Sequence, residues 1–166
     1  MFYQKSFSVI ELMMAVFILV VAFIGFYQVA VFSFTTLEEA KNEMKADYLA
    51  EEYIEAVRSI RDQVDWDDPV DGETGLGEID TANTYYLIIS GGSWEITTVG
   101  PGLIDNLFSR EIIFENISRD PDTGDIEDVY NVSNKDDNSL KVKAKINWLE
   151  KGETKDLILA TLITNF

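Results

Sequence analysis

The chain contains no cysteine and no histidine. The first absence excludes a disulfide framework and a lipoprotein anchor. The second leaves serine–histidine catalysis, cysteine–histidine catalysis and ordinary zinc sites without residues to use. Basic residues are scarce: 13 lysines and arginines stand against 30 aspartates and glutamates, a net charge of −17 over 166 residues. Such a chain repels phosphates and anionic head groups, so no nucleic-acid partner is expected. The acidic excess reads first as a solvated, solubilising face.

Charge is missing altogether from one long stretch. Between Leu12 and Phe34 no side chain is charged, and only Gln28 and Ser33 are clearly polar. A helix over that run is long enough to cross the roughly 30 Å hydrocarbon core of a bilayer. Lys5 is the only charged side chain before Glu11, which favours a cytoplasmic N-terminus and places everything from about Thr35 onward outside. Glu11 is out of keeping with a simple anchor. A carboxylate near the middle of a bilayer costs about 2.5–3.5 kcal/mol on insertion scales, and a plain anchor would do better without it. A conventional secretory signal, cut at a small residue such as Ser33, fits poorly. The run is longer than such signals need, Glu11 interrupts its start, and Phe32 and Phe34 flank the cut.

Taken together, Lys5-Ser6-Phe7-Ser8-Val9-Ile10-Glu11-Leu12-Met13-Met14 and the apolar run behind it resemble the prepilin signal of type IV pilins and type II secretion pseudopilins. The resemblance implies a leader of residues 1–6, cleavage between Ser6 and Phe7, and N-methylation of Phe7 by an inner-membrane prepilin peptidase that is also the methylase. Glu11 then falls at the family's glutamate, the fifth residue of the mature chain. Ser6 stands where the family normally has Gly, which implies slower cleavage or a tolerant peptidase. Gln28 stands where it often has a helix-kinking Pro, with Gly25 nearby.

The resemblance also implies a role for Glu11 in assembly: its carboxylate meets the amine of Phe7 on a neighbouring subunit, two costly charges offset one another, and axial register is set. The amine of its own chain lies one helical turn away and is a rival partner. A glutamate snorkelling to the interface from an uncleaved anchor is the plainer alternative.

From Thr35 the helical pattern continues without a turn signal. Leu37, Ala40, Met44, Tyr48 or Leu49, Tyr53, Ala56 or Val57 and Ile60 recur at spacings of three and four, with Glu38, Glu39, Lys41, Glu43, Lys45, Glu51, Glu52, Glu55 and Arg58 opposite. One helix is therefore expected from Phe7 to about Arg61. Residues 7–34 form its membrane and assembly half, residues 35–62 its amphipathic half. The remainder, 63–166, reads as an extracytoplasmic loop and antiparallel sheet. The loop is marked by Asp67-Asp68-Pro69, Asp71-Gly72, Gly75 and Gly77. Strands are expected over 85–90, 94–98, 110–117, 128–132, 140–148 and 156–163, with a hairpin at Gly91-Gly92. In 140–148 the alternation is strict: Leu140, Val142, Ala144, Ile146 and Trp148 face one way, the lysines and Asn147 the other. The fold class is α+β, a long helix packed on an antiparallel sheet as in type IV pilins.

Alternating carboxylates in a glycine-containing loop suit a hard, oxygen-seeking cation, which makes Asp120, Asp122, Asp125 and Glu127 candidate calcium ligands. Some pseudopilins bind calcium in this part of the fold. The EF-hand spacing fails, because Gly124 comes one position early and Asn131 occupies the twelfth place. An acidic, solvated loop is the competing reading, and Asn134-Lys135-Asp136-Asp137-Asn138 reads the same way. Trp66, Trp94 and Trp148 are expected in the core or on strand faces. No pair of carboxyls stands out as the two a glycosidase holds about 5–9.5 Å apart, so no catalysis is expected.

The expected protein is a single-pass inner-membrane precursor built into a surface filament as a structural subunit. A minor subunit is favoured, because strongly acidic ectodomains repel when densely packed without cations. The resemblance implies as partners other pilins or pseudopilins, the peptidase, the assembly platform protein and its ATPase. The rival is a membrane-anchored binding module, an adhesin or sensor, that is neither processed nor polymerised.

Overall fold

A computed structural model describes residues 8–63, 66 and 75–165. The predicted cut between Ser6 and Phe7 lies outside them, as do Asp67-Asp68-Pro69 and Asp71-Gly72 of the predicted loop. The chain divides into two compact units, Met1–Asn42 and Glu43–Phe166. Helix α1 (Val9–Gln63) contributes residues 9–42 to the first and 43–63 to the second.

Between Leu12 and Phe34 the helix is apolar on every side, and none of the first unit's described residues is buried. It is long and apolar enough to cross a membrane. Three hydroxyls bond back to the helix itself: Ser33 Oγ donates to the Val29 carbonyl at 2.8 Å, and Thr35 and Thr36 donate to the Phe32 carbonyl at 2.9 and 3.0 Å. Each of these three hydroxyls thus has a partner without water, which is what a hydrocarbon surrounding demands. The helix continues through Gly25 and Gln28, as the lack of a proline there allows.

In the second unit α1 buries a stripe of Ala46, Leu49, Ala50, Tyr53, Ile54, Ala56, Val57 and Ile60. That spacing of three and four places one face against the sheet. The sheet has five antiparallel strands in the order β2-β1-β3-β4-β5. Their bounds are β1 Thr84–Ser90, β2 Ser93–Thr97, β3 Phe108–Ser118, β4 Lys135–Glu150 and β5 Glu153–Thr164. Leu140, Val142, Ala144, Ile146 and Trp148 of β4 are all buried, and with Tyr85, Leu87, Phe108, Ile112, Phe114 and Ile163 they cover the helix stripe. The alternation of β4 therefore has the face read from sequence.

Two hairpins are closed by two-residue turns. Gly91 and Gly92 both take positive φ, 59° and 92°, between paired Ser90 and Ser93. Lys151 and Gly152, at 51° and 84°, do the same between Glu150 and Glu153. Positive φ at both positions gives a turn whose twist matches the strands.

Two expectations are corrected. Residues 128–132 form no strand, and Val132–Asn134 is a short 3₁₀ turn. The Asn131 amide donates to the Ser118 hydroxyl at 2.9 Å, and the Asn131 side chain accepts from the Ser133 amide at 3.0 Å. Side chains have taken the hydrogen bonds a ladder would use. Conversely, 135–138 is no loop but the start of β4, where Lys135 pairs with Ser118 past an irregularity between Asn116 and Ser118.

Candidate assembly site

The helix begins immediately after Ser8, whose carbonyl accepts from the Glu11 amide at 3.0 Å and the Leu12 amide at 3.2 Å. Glu11 is thus the third helical residue, in the first turn. Ser8 and Glu11 stand at the spacing of a capping box, a signal available in the sequence that the reading above did not use. Amides at the start of a helix are short of helical acceptors, and the helix dipole favours a carboxylate beside them. Part of the cost of placing Glu11 at the head of an apolar helix is offset in this way.

The neighbours of Glu11 are exposed and apolar: Val9, Ile10, Leu12, Met13 and Met14. The next basic residue along α1 is Lys41, about 45 Å further on at 1.5 Å per residue. No basic side chain of the described helix can therefore reach Glu11. A cationic partner for Glu11 has to come from outside this helix.

The acidic loop is held by its own side chains. Asp120 Oδ1 accepts from the amides of Asp122 at 2.8 Å and Thr123 at 3.2 Å. Gly124, at φ 77°, donates its amide to the Asp120 carbonyl. Arg119 Nη1 donates to the Gly124 carbonyl at 3.1 Å, while its Nε donates to Asp136 at 2.6 Å. Glu127 Oε1 accepts from Asn134 Nδ2 at 2.9 Å. Of the four predicted ligands, Asp120 and Glu127 are thus engaged by donors of the loop. Among the described residues no group of three or more aspartates and glutamates is gathered to hold a cation. Burial raises the proton affinity of Asp136, but hydrogen bonds from Arg119, Ser139 and the Asn138 amide outweigh it and hold its carboxyl below the ordinary range.

A cluster unforeseen from the sequence lies where helix and sheet meet within the second unit. The Arg110 guanidinium sits 4.1 Å from the centre of the Tyr53 ring and 6.0 Å from that of Trp94, and it bonds Glu52 at 3.0 Å. The Tyr53 hydroxyl donates to the Leu87 carbonyl at 3.3 Å. Burial, more than any charge nearby, pushes the Tyr53 hydroxyl pKa above its ordinary value. The signal was available: Arg110 shares the alternate row of Phe108, Ile112 and Phe114, the row that faces the helix. The cluster pins the helix to the sheet. Trp66 and Trp148 are buried, and Trp94 packs edge-on against Tyr53, so the tryptophans fill core and strand-face positions.

Comparison of the chain with family models, with curated proteins and with solved structures finds no match.

Proposed function

We propose that the chain is a structural, non-catalytic subunit of a type IV pilus-like filament, a minor one, made as a membrane-anchored precursor and joined to its neighbours through the first part of α1. The observation that carries this reading is Glu11. It is the one charge at the head of the apolar first part of α1, which buries no face, and no basic side chain of the helix can reach it. The layout of a long helix packed on an antiparallel sheet is consistent with a pilin-like fold and supports the same reading. In this role the apolar face that lipid covers in the precursor is covered by other helices in the filament. Glu11 fixes their axial register through the amine of the cleaved Phe7.

Intact mass with N-terminal sequencing of membrane-extracted protein tests the processing step, and the expected mature chain starts at methylated Phe7. Incorporation tests assembly. Glu11→Ala should insert in the membrane at least as well as the parent, because it removes a carboxylate from the head of an apolar span, yet fail to enter the filament. A Glu11→Ala chain that works normally would leave the anchored binding module as the better reading.

A further inference from the structure

The sheet has two unlike edges. β2 is short, five residues with Glu95 at its centre. β5 runs for twelve residues, and its register with β4 is unbroken. Residues 157–164 of β5, Leu-Ile-Leu-Ala-Thr-Leu-Ile-Thr, contain neither charge nor proline. Sheets ordinarily blunt a free edge with a lysine, a proline, a bulge or short length. Over this stretch β5 uses none of them.

One bond sets the phase of the edge. The Asn165 amide donates to the Asn138 carbonyl at 2.8 Å, continuing the register of Ser139 with Thr164. Odd-numbered residues of β5 therefore turn their backbone groups toward β4, and Ile158, Ala160 and Leu162 turn theirs to the other edge, which no strand among the described residues pairs. Leu157, Leu159 and Ile163 belong to the core or pack against it, so Ile158, Ala160 and Leu162 lie on the opposite, exposed face. Beside them in register are Lys145, Lys143 and Lys141 of β4, which pair with Glu111 and Glu115 of β3.

We propose that this edge docks a second copy of the same chain, β5 against β5, antiparallel about a two-fold axis at Ala160. The strand is nearly palindromic about that residue. Ile158 meets Leu162 of the other copy, Leu157 meets Ile163, and Leu159 meets Thr161. The phase is correct as well, since the two Ala160 residues and each Ile158–Leu162 pair present edge-facing backbone groups to one another. The charged residues Glu153, Lys155 and Asp156 fall outside the apolar centre. Asp156 arrives at the Thr164 end of the other copy, where Arg61 donates to the Thr164 carbonyl at 3.5 Å. A foreign strand would need no such symmetry. The net charge of −17 opposes approach at long range, but the touching stretch is uncharged and salt screens the rest. Pairing at one edge is also not the dense packing that acidic ectodomains resist. It holds for the anchored chain whether or not a filament is later built from it.

Because the chain has no cysteine of its own, an introduced thiol is its only point of disulfide trapping. Across a hydrogen-bonded antiparallel pair the two Cα atoms lie about 5.5 Å apart, within disulfide reach. Full-length Ala160→Cys in bacterial membranes, treated with a mild oxidant, should give a cross-linked dimer of twice the mass. Ile158→Cys alone should not, because its two copies are offset by about 14 Å along the strands, while Ile158→Cys mixed with Leu162→Cys should cross-link. Adding Ile158→Lys to Ala160→Cys should remove the dimer, and raising the salt should increase it. Equal dimer from Ala160→Cys and Ile158→Cys, dimer from neither, or an adduct of Ala160→Cys with a different protein would each overturn the proposal.

Discussion

Residues 9–34 and 46–60 belong to one helix with one backbone geometry, yet they meet different fates. The first stretch is the more apolar and buries nothing; the second carries charges at every turn and supplies a third of the core. Burial follows the period of the apolar residues, not their abundance. A stripe at spacings of three and four can be covered by a sheet, whereas a helix that is apolar all round needs an apolar solvent. Two stabilities follow, one measured against unfolding and one against leaving the membrane.

Substitutions should separate the two. The largest effect is expected from Tyr53→Ala, which removes a fully buried ring along with its hydroxyl's bond to Leu87. A loss of about 3–5 kcal/mol in denaturant unfolding of the sheet unit is expected, while Phe17→Ala should leave that transition unmoved. Next, Ile18→Asp should cost about 3 kcal/mol of insertion, read as chain lost from the membrane fraction, with the unfolding midpoint unchanged. Arg110→Ala should cost about 2 kcal/mol of unfolding stability, since it strips the Tyr53 and Trp94 rings of their cation and leaves Glu52 without its partner. An Arg110→Lys chain should recover only part of this, because an ammonium lacks the flat face that stacks.

The smallest effect is a pH dependence confined to the sheet unit. The Asp136 carboxyl is held below its ordinary range. Its contribution is therefore complete above the unfolded value and is lost as pH falls through the lower folded one. Acid titration of the unfolding midpoint should show this loss, and Arg119→Ala should flatten it. Membrane retention of the first unit should not follow the same curve.

Much of this architecture was legible because its signals are periodic. The β4 alternation from Leu140 to Trp148 and the helix stripe from Leu49 to Ile60 each repeat often enough to fix a face. The strand ends were not legible. β4 and β5 run on through Leu149, Glu150, Glu153 and Lys155, because hydrogen bonding continues after the buried face has ended. The turn at Lys151-Gly152 was hidden in the same gap. Residues 128–132 misled for the opposite reason: their apolar residues suit a strand, but Asn131 and Ser118 had already satisfied the local backbone. At the candidate site, Glu11 was found by its cost in an apolar run. Its placement at the third position of the helix required knowing where the helix starts.

The three tryptophans, Trp66, Trp94 and Trp148, all lie in the unit of Glu43–Phe166, and residues 1–42 contain none. Indole emission from the unaltered chain is therefore an optical reporter of one unit only. Its colour follows the opening of the sheet core and is silent when the apolar helix changes its surroundings. A single fluorophore placed in the first unit would complete a two-channel record of folding and insertion in the same sample.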